Sequence, residues 1–441
     1  WLSRPRIKRG DDFCMREMWR TPIGRGFVAL AVLAAAFGFA SNAQNSIVTN
    51  YLDGVLGLSG PQFGYWTAIR EMGGLLLFLL TAVFYRVSLQ KLTAGAMIAF
   101  GIGCGLFVVA DGFWTVIPWT LLSSFGLHLA LQTQISLGLS LTTEDKSGSV
   151  LGRMGAITQV GTFAALLMVF FVFQFDLFSF EPTFVILAAV AVVGALAILP
   201  FPHLHEGRLS RFAPRREPMV FRREYSHYYR LVFLDGARAQ VFFSFGLWVL
   251  VNRFGLGVAS ISVVMMAVTF GCMVSASWLG RWIDRAGERR SLSIVNLAYV
   301  VALGGFALSH NVWMACVFYL IYAVIAPLSY MGASTCLRKI ATASDLAPSL
   351  SMGLTMQHLA AIVVPVTMGF TLNFVGYQIP FYVACGVAAI TFFVTLRLDP
   401  AKQKCAARIA ADETAAAEAA AARPTTAEAA IAELATVRAS E

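Results

Sequence analysis

Apolar residues in this chain fall in long unbroken blocks, not in the alternation of a half-buried strand or the one-sided stripe of a surface helix. The blocks lie at residues 26–49, 62–85, 92–110, 114–141, 150–174, 182–200, 229–251, 257–280, 290–309, 311–337, 348–374 and 379–396. Each is close to the ~20 residues that carry a helix across the hydrocarbon core of a bilayer. No water in that core is at hand to satisfy a peptide group, so each block must satisfy its own backbone and is expected to be helical. The pattern predicts an all-α membrane protein with about 12 transmembrane helices.

The blocks repeat. Gly57 and Leu58 return as Gly255 and Leu256, an offset of 198 (255 − 57). At the same offset Met154, Gly155 and Gln159 become Met352, Gly353 and Gln357, and Pro182 and Val185 become Pro380 and Val383. A constant offset over most of a chain is the mark of a duplicated unit. Here it predicts two pseudo-symmetric six-helix bundles facing one another, an arrangement that commonly encloses a path near the bilayer midplane.

Composition agrees with the membrane reading. Of 441 residues 58% are hydrophobic and 13% charged, where a soluble domain carries about 25% charged, and the mean hydropathy is +0.70. The net charge of +9 would suggest a nucleic-acid partner in a soluble protein, but here its distribution is topological. Arg4, Arg6, Lys8 and Arg9 precede the first span, basic residues from Arg208 to Arg230 fill the central segment, and Lys402, Lys404 and Arg408 follow the last span. Alternate loops hold Arg86 with Lys91, Lys146 with Arg153, Arg281 to Arg290, and Arg338 with Lys339, whereas the opposite loops hold only Arg253. This positive-inside asymmetry places both termini and the central segment in the cytoplasm. It calls for no nucleic-acid partner, and the expected setting is a monomer among the lipids of a bacterial cytoplasmic (inner) membrane.

The expected organisation is a cytoplasmic N-terminal segment at 1–25, a six-helix bundle at 26–200, a cytoplasmic linker at 201–228, a second bundle at 229–396 and a cytoplasmic tail at 397–441. Met18 to Arg25 lead straight into a full-length span, without the pattern of a cleavable signal. The tail is mostly Ala with interspersed Glu and Thr, a composition that forms a solvated helix or stays disordered and has too little bulky apolar surface for a core. Cys14, Cys104, Cys272, Cys316, Cys336, Cys385 and Cys405 fall in spans or on the cytoplasmic side, so no disulfide is expected. They lack the paired spacing of a zinc site, and neither a metal nor a cofactor is expected.

The segment between the eighth and ninth spans reads Gly280-Arg281-Trp282-Ile283-Asp284-Arg285-Ala286-Gly287-Glu288-Arg289-Arg290. Gly280 lets helices approach closely, Asp284 can pair with a cation at a helix end, and Gly287 permits a tight turn. These residues resemble the G-x-x-x-D-R-x-G-x-R-R signature of the major facilitator superfamily. With the twelve spans, the two halves and the basic linker, the resemblance covers about residues 20–398. It implies a transporter fold whose halves rock about a central site, with Gly280, Asp284, Arg285, Gly287 and Arg289 forming a gating loop. The first half departs from the signature: at the 198 offset Gly280 maps to Ala82, Asp284 to Arg86 and Gly287 to Leu89, with Lys91 opposite Arg289. Either the gate is asymmetric, or this loop is relaxed and its lock lies elsewhere. The fifth span, with no proline between Gly155 and Phe170, also lacks the Gly-Pro signature of the superfamily's drug–proton antiporters, which weighs against a drug exporter.

Polar side chains inside spans are expensive there and tend to face a cavity or a partner. Arg70 and Glu71 lie in the second span, and Asp235 and Arg238 lie in the seventh at i and i+3. Each pair can be a self-compensated ion pair. Alternatively, Arg70 or Arg238 binds an anionic substrate group through its planar donors, with Glu71 or Asp235 taking a coupling proton. Arg70 and Glu71 point about 100° apart on a helix, so one of them needs another partner, for which Asp235 across the cavity is a candidate for Arg70. Ser124, His128, Gln132 and Ser136 recur every fourth residue and form one polar stripe, which lines the cavity or serves interhelical hydrogen bonds. Asn42, Gln44, Asn45 and Ser46 in the first span have Gln240 and Ser244 opposite Asn42 and Ser46 in the seventh, and Gln159 and Gln357 repeat in the fifth and eleventh. Asn42, Asn45, His128, Gln132, Gln240 and Gln357 join the two arginines as expected substrate-binding residues. His128 and His358 can serve as a proton relay or sit as ordinary buried imidazoles, and Tyr319, Tyr322 and Tyr330 read as packing.

The leading functional reading is a secondary transporter that moves a small polar or anionic organic solute by alternating access with proton coupling. No phosphate-cradling G-x-x-x-x-G-K run is present, so ATP does not drive it directly. The competing reading is a non-transporting receptor or assembly factor of the same fold. A membrane enzyme fares worst, since neither H-E-x-x-H nor a nucleophile elbow occurs.

Overall fold

The computed structural model describes residues 21–84, 86–142, 147–202, 223–341 and 343–398, and every regular element among them is helical. The first half holds α1 (Pro22–Asn50), α2 (Gly60–Leu75), α3 (Leu77–Val83), α4 (Leu89–Gly105), α5 (Phe113–Ser140), α6 (Ser147–Gln174) and α7 (Phe180–Ile198). The second holds α8 (Ser226–Gln240), α9 (Leu247–Asn252), α10 (Val258–Ala286), α11 (Glu288–Ala307), α12 (Val312–Ile325), α13 (Pro327–Ile340), α14 (Ala343–Val375) and α15 (Gln378–Leu396). Among the described residues eleven helical stretches are long and apolar enough to cross a bilayer. The chain is an integral, multi-pass membrane protein.

Local chemistry explains the helix starts and the breaks. Thr21 caps α1, its hydroxyl accepting from Gly24 N at 3.0 Å, and Pro22 follows at the first helical position. The expected span at 62–85 is divided at Leu76 into α2 and α3, of 16 and 7 residues, just after the Gly73-Gly74 pair that weakens a helix. The expected span at 311–337 is divided before Pro327, whose ring cannot continue the preceding hydrogen-bond ladder. Two π-helical stretches, Tyr51–Val55 after α1 and Val241–Gly246 between α8 and α9, were not foreseen from the apolar pattern.

The repeat is written in the backbone. Leu56 N donates to Tyr51 O at 3.0 Å and Phe254 N to Val249 O at 3.2 Å; Leu58 N donates to Leu52 O at 2.9 Å and Leu256 N to Leu250 O at 3.0 Å. All four bonds obey the 198 offset (249 − 51), and the turns they close pivot on Gly57 and Gly255 with φ of 62° and 68°. A side chain at either position would be strained.

Within the first half α1 packs on α6 and α7, and α4 on α5 and α7; within the second, α11 packs on α15 and α8 on α14. The halves meet chiefly along two seams, α2 against α14 and α6 against α10, and α1 also touches α9 and α10. Lipid is as apolar as leucine, so these seams are held by close packing and hydrogen bonds more than by water exclusion. At Gly64 the α2–α14 seam is backbone to backbone: an ideal Cβ there would overlap the carbonyl oxygen of Pro365, and one at Gly369 would come within 2.9 Å of Gly64 Cα. Nearby, Phe63 packs on Phe245 and Trp248 with ring centroids 6.2 and 6.1 Å apart. Ser46 Oγ meets Ser262 Oγ at 2.9 Å, Asn50 Nδ2 donates to Leu256 O at 2.8 Å, and Asn252 Nδ2 donates to Asp53 Oδ1 at 2.7 Å. The end of the bundle that carries the Gly57 and Gly255 turns is therefore closed between the halves.

Candidate functional site

A cavity of about 280 Å³ lies between α1, α2 and α5, with Asn42, Asn45, Trp66, Arg70, Glu71 and His128 among its lining residues. Each helix presents its polar side chains at helical spacing. On α1, Asn42 and Asn45 share a face, and Asn42 Nδ2 donates back to Gly38 O at 3.0 Å and across to Thr162 Oγ1 on α6 at 2.9 Å. On α5 the four-residue stripe brings Ser124 and His128 to the cavity, while Gln132 is exposed one turn further on.

Arg70 and Glu71 form the charged floor. The Arg70 guanidinium carbon lies 5.1 Å from the Trp66 ring centroid, and its Nη2 is 3.4 Å from Glu71 Oε1. Trp66 is fixed by Nε1 donating to Thr120 Oγ1 at 2.8 Å, and Ser124 Oγ donates to the Arg70 carbonyl, tying α5 to α2. The other Glu71 oxygen, Oε2, faces His358 Nδ1 at 3.6 Å. His358 belongs to α14, so this contact crosses from one half to the other. Its ring lies 5.4 Å from that of His128, at 72°, and occupies the space over Gly74 that any side chain there would need. Glu71 thus touches a cation on its own helix and an imidazole on the opposite half.

The second charged pair does something else. Arg238 is 1% exposed, pairs with Asp235 on its own helix, and lies with its guanidinium carbon 3.4 Å from the Tyr299 ring centroid. Ser329 Oγ accepts from its Nη2 at 3.4 Å and donates to Tyr299 OH at 3.2 Å; Tyr299 OH donates to Ile325 O at 2.9 Å, at the break between α12 and α13. The expected pairing of Arg70 with Asp235 is not present, because each residue has a nearer partner. Arg238, expected at the substrate, does not line the cavity; the polar face of α8 turns toward α11 and α13 instead. Gln240 donates to Ser244 Oγ at 2.8 Å, and Gln357 packs against Gly236, its Cγ 3.0 Å from where a Cβ would stand. Neither lines the cavity. Tyr319 and Tyr322 stack on Phe242 at 4.6 and 3.8 Å, and the Tyr330 side chain lies outside the described residues.

The expected gating loop is mostly helix. Gly280 to Ala286 complete α10, Gly287 alone makes the turn with φ 76°, and Glu288 opens α11. A Cβ added at Gly280 would lie 3.9 Å from Met331 Cε, and Arg285 and Arg289 are exposed. The Asp284 side chain lies outside the described residues, as does that of Ala82 in the corresponding first-half segment. The ion pair that the structure does describe beside this segment is Glu288, buried, against Lys339 Nζ at 2.6 Å, which joins α11 to α13 within the second half. Sequence reasoning passed over this pair, because Glu288 reads as one more loop charge beside four arginines.

Residues 231–436 match the family model described as Major Facilitator Superfamily. No curated protein matches the sequence. Among solved structures, the nucleoside transporter NupG superposes with a TM-score of 0.69 at 14% identity, covering 85% of this chain and 100% of that one. The D-xylose–proton symporter superposes at 0.69 with 13% identity, covering 87% and 100%. The peptide transporter POT, solved with sulfate, gives 0.64 at 15% identity, covering 84% and 94%.

Proposed function

From a chain with the fold of the major facilitator superfamily, we propose a secondary transporter that carries a small polar or anionic organic solute by alternating access. The observation that carries the reading is the Glu71–His358 contact: a charged group that lines the cavity of one half touches the other half across the seam. Binding a solute or a coupling ion there changes the energy of a contact that exists only when the halves are in this arrangement, which is what a ligand must do to shift a conformational equilibrium.

Arg70 is the group assigned to an anionic end of the solute, because it is 29% exposed at the side chain and its delocalised, planar donors suit carboxylate or phosphate oxygens. Asn42 and Asn45 supply neutral donors and acceptors on the facing helix. Glu71 is the group assigned to ion coupling, the proton being the ion expected from the sequence. A cavity of about 280 Å³ suits a small metabolite better than a bulky drug. The nucleoside, pentose and peptide named for the structural relatives are all polar solutes, in keeping with such a lining. The basic loops support a cytoplasmic side for both termini and the central linker, and the membrane proposed is a bacterial inner membrane.

The test is a thermal-shift screen of purified protein against organic anions, amino acids, sugars and nucleosides, followed by flux in proteoliposomes for each hit. An anionic hit whose affinity falls at least tenfold in Arg70→Gln, with Arg70→Lys intermediate, is the expected result. Affinity for that anion unchanged in Arg70→Gln would remove Arg70 from the site and the anion class with it.

A further inference from the structure

Glu71, His128 and His358 each offer one ligand atom, and the three atoms lie within 4.8 Å of one another although they come from α2, α5 and α14. Tetrahedral zinc, with bonds of about 2.0–2.1 Å to nitrogen and oxygen, sets its ligand atoms about 3.4 Å apart. The Glu71 Oε2 to His358 Nδ1 separation of 3.6 Å already meets that spacing. The longest separation must close by about 1.4 Å (4.8 − 3.4), which small rotations about side-chain torsions supply.

The surrounding contacts are those that prepare a ligand set. His128 Nδ1 lies 2.9 Å from the carbonyl oxygen of Ser124, and a carbonyl only accepts, so Nδ1 carries the hydrogen and Nε2 keeps its lone pair. Metal-ligating histidines characteristically donate their second nitrogen in this way. Glu71 has one oxygen turned to Arg70, which orients the carboxylate and leaves Oε2 toward the imidazoles. Two imidazoles and one carboxylate favour zinc, nickel or cobalt over magnesium or calcium, which take oxygen ligands.

We propose that Glu71, His128 and His358 form a binding site for one divalent transition cation of the zinc class, its fourth position open to the cavity. Two ligands belong to the first half and the third to the second, so the bound cation ties the halves together in this arrangement. The sequence expectation of no metal rested on the cysteines, which lack paired spacing; these ligands stand instead at 71, 128 and 358, too far apart in the chain to show as a motif. The inference stands apart from the transport reading, since binding is measured without any solute.

The experiment is a zinc titration of the chelator-treated full-length protein in detergent by calorimetry, repeated with cobalt, whose tetrahedral visible absorption reports the ligand geometry. Expected are one zinc per chain, no competition from a hundredfold excess of magnesium, and at least a hundredfold weaker binding in both His358→Ala and Glu71→Gln. His128→Gln keeps the volume of the site and should also lose the tetrahedral cobalt band. The metal-free melting temperature of each variant identifies any that fails to fold, and the others then decide the matter. With spin labels on opposite halves, zinc should narrow the distance distribution in the wild type alone. Absence of zinc binding, or zinc bound with unchanged affinity by the folded His128→Gln and His358→Ala variants, would overturn the assignment and place the cation elsewhere, for example on a thiol.

Discussion

Gly64→Ala tests the seam between the halves with the smallest possible perturbation. The added methyl group would overlap the carbonyl oxygen of Pro365 and lie about 3.0 Å from Gly369 Cα. Both neighbours are backbone atoms of α14, so the clash is relieved only if α2 and α14 move apart. Forcing an extra methyl group into a packed interior costs about 1–3 kcal/mol. The penalty is confined to the arrangement in which this end is closed, because rocking that opens the end separates the two helices. The equilibrium should therefore move away from the closed arrangement by roughly 5- to 160-fold. Spin labels at Val55 and Arg253, exposed and on opposite halves, would read the two populations by double electron–electron resonance. Gly95→Ala is the control, since a Cβ at that position meets nothing within 4 Å. A distance distribution for Gly64→Ala that matches the control, in a protein of unaltered thermal stability, would refute the backbone seam.

Arg238→Gln leaves Asp235 buried beside a neutral partner and should destabilise the protein by about 3–5 kcal/mol, read as a fall in melting temperature, whereas the double variant with Asp235→Asn should recover most of it. Solute affinity of the folded Arg238→Gln fraction should match the wild type; a selective loss of binding without loss of stability would return Arg238 to the substrate site. Gly74→Ala displaces the His358 ring and should weaken zinc binding by at least tenfold, which calorimetry would detect. Lys339→Ala should change stability by less than about 1 kcal/mol, because Lys339 is 57% exposed and its pair with Glu288 is screened; a larger loss in chemical denaturation would mark the pair as a structural lock.

What the sequence discloses here follows from how far each signal reaches along the chain. Spans are legible because burial in lipid demands a long apolar run, and the duplication is legible because Gly57 and Gly255 keep an unusual backbone. The α5 stripe is legible because four-residue spacing is local. Partners are not. Arg238 and Asp235 read as a possible cavity face, yet nothing in an i, i+3 spacing says whether that face meets a cavity or the rings of Tyr299 and Tyr322. Glu71 and His358 are 287 positions apart (358 − 71), and only the packing of α2 on α14 brings them together. The signature around Asp284 suggested a loop because its residues are polar; Gly287 suffices for the turn, and the rest of the segment pays no penalty for staying helical at a membrane surface.

The two glycine turns make the bundle a lever. Each closes a corner with backbone hydrogen bonds of the same register, so a rocking of the halves that keeps this end closed would carry the helices that leave it as stiff arms. At about 1.5 Å per residue the 29 residues of α1 form an arm about 44 Å long. One degree of rotation then sweeps its far end through about 0.8 Å. Roughly ten degrees opens a gap of about 8 Å, wide enough for a small solute, while atoms next to Gly57 and Gly255 scarcely shift.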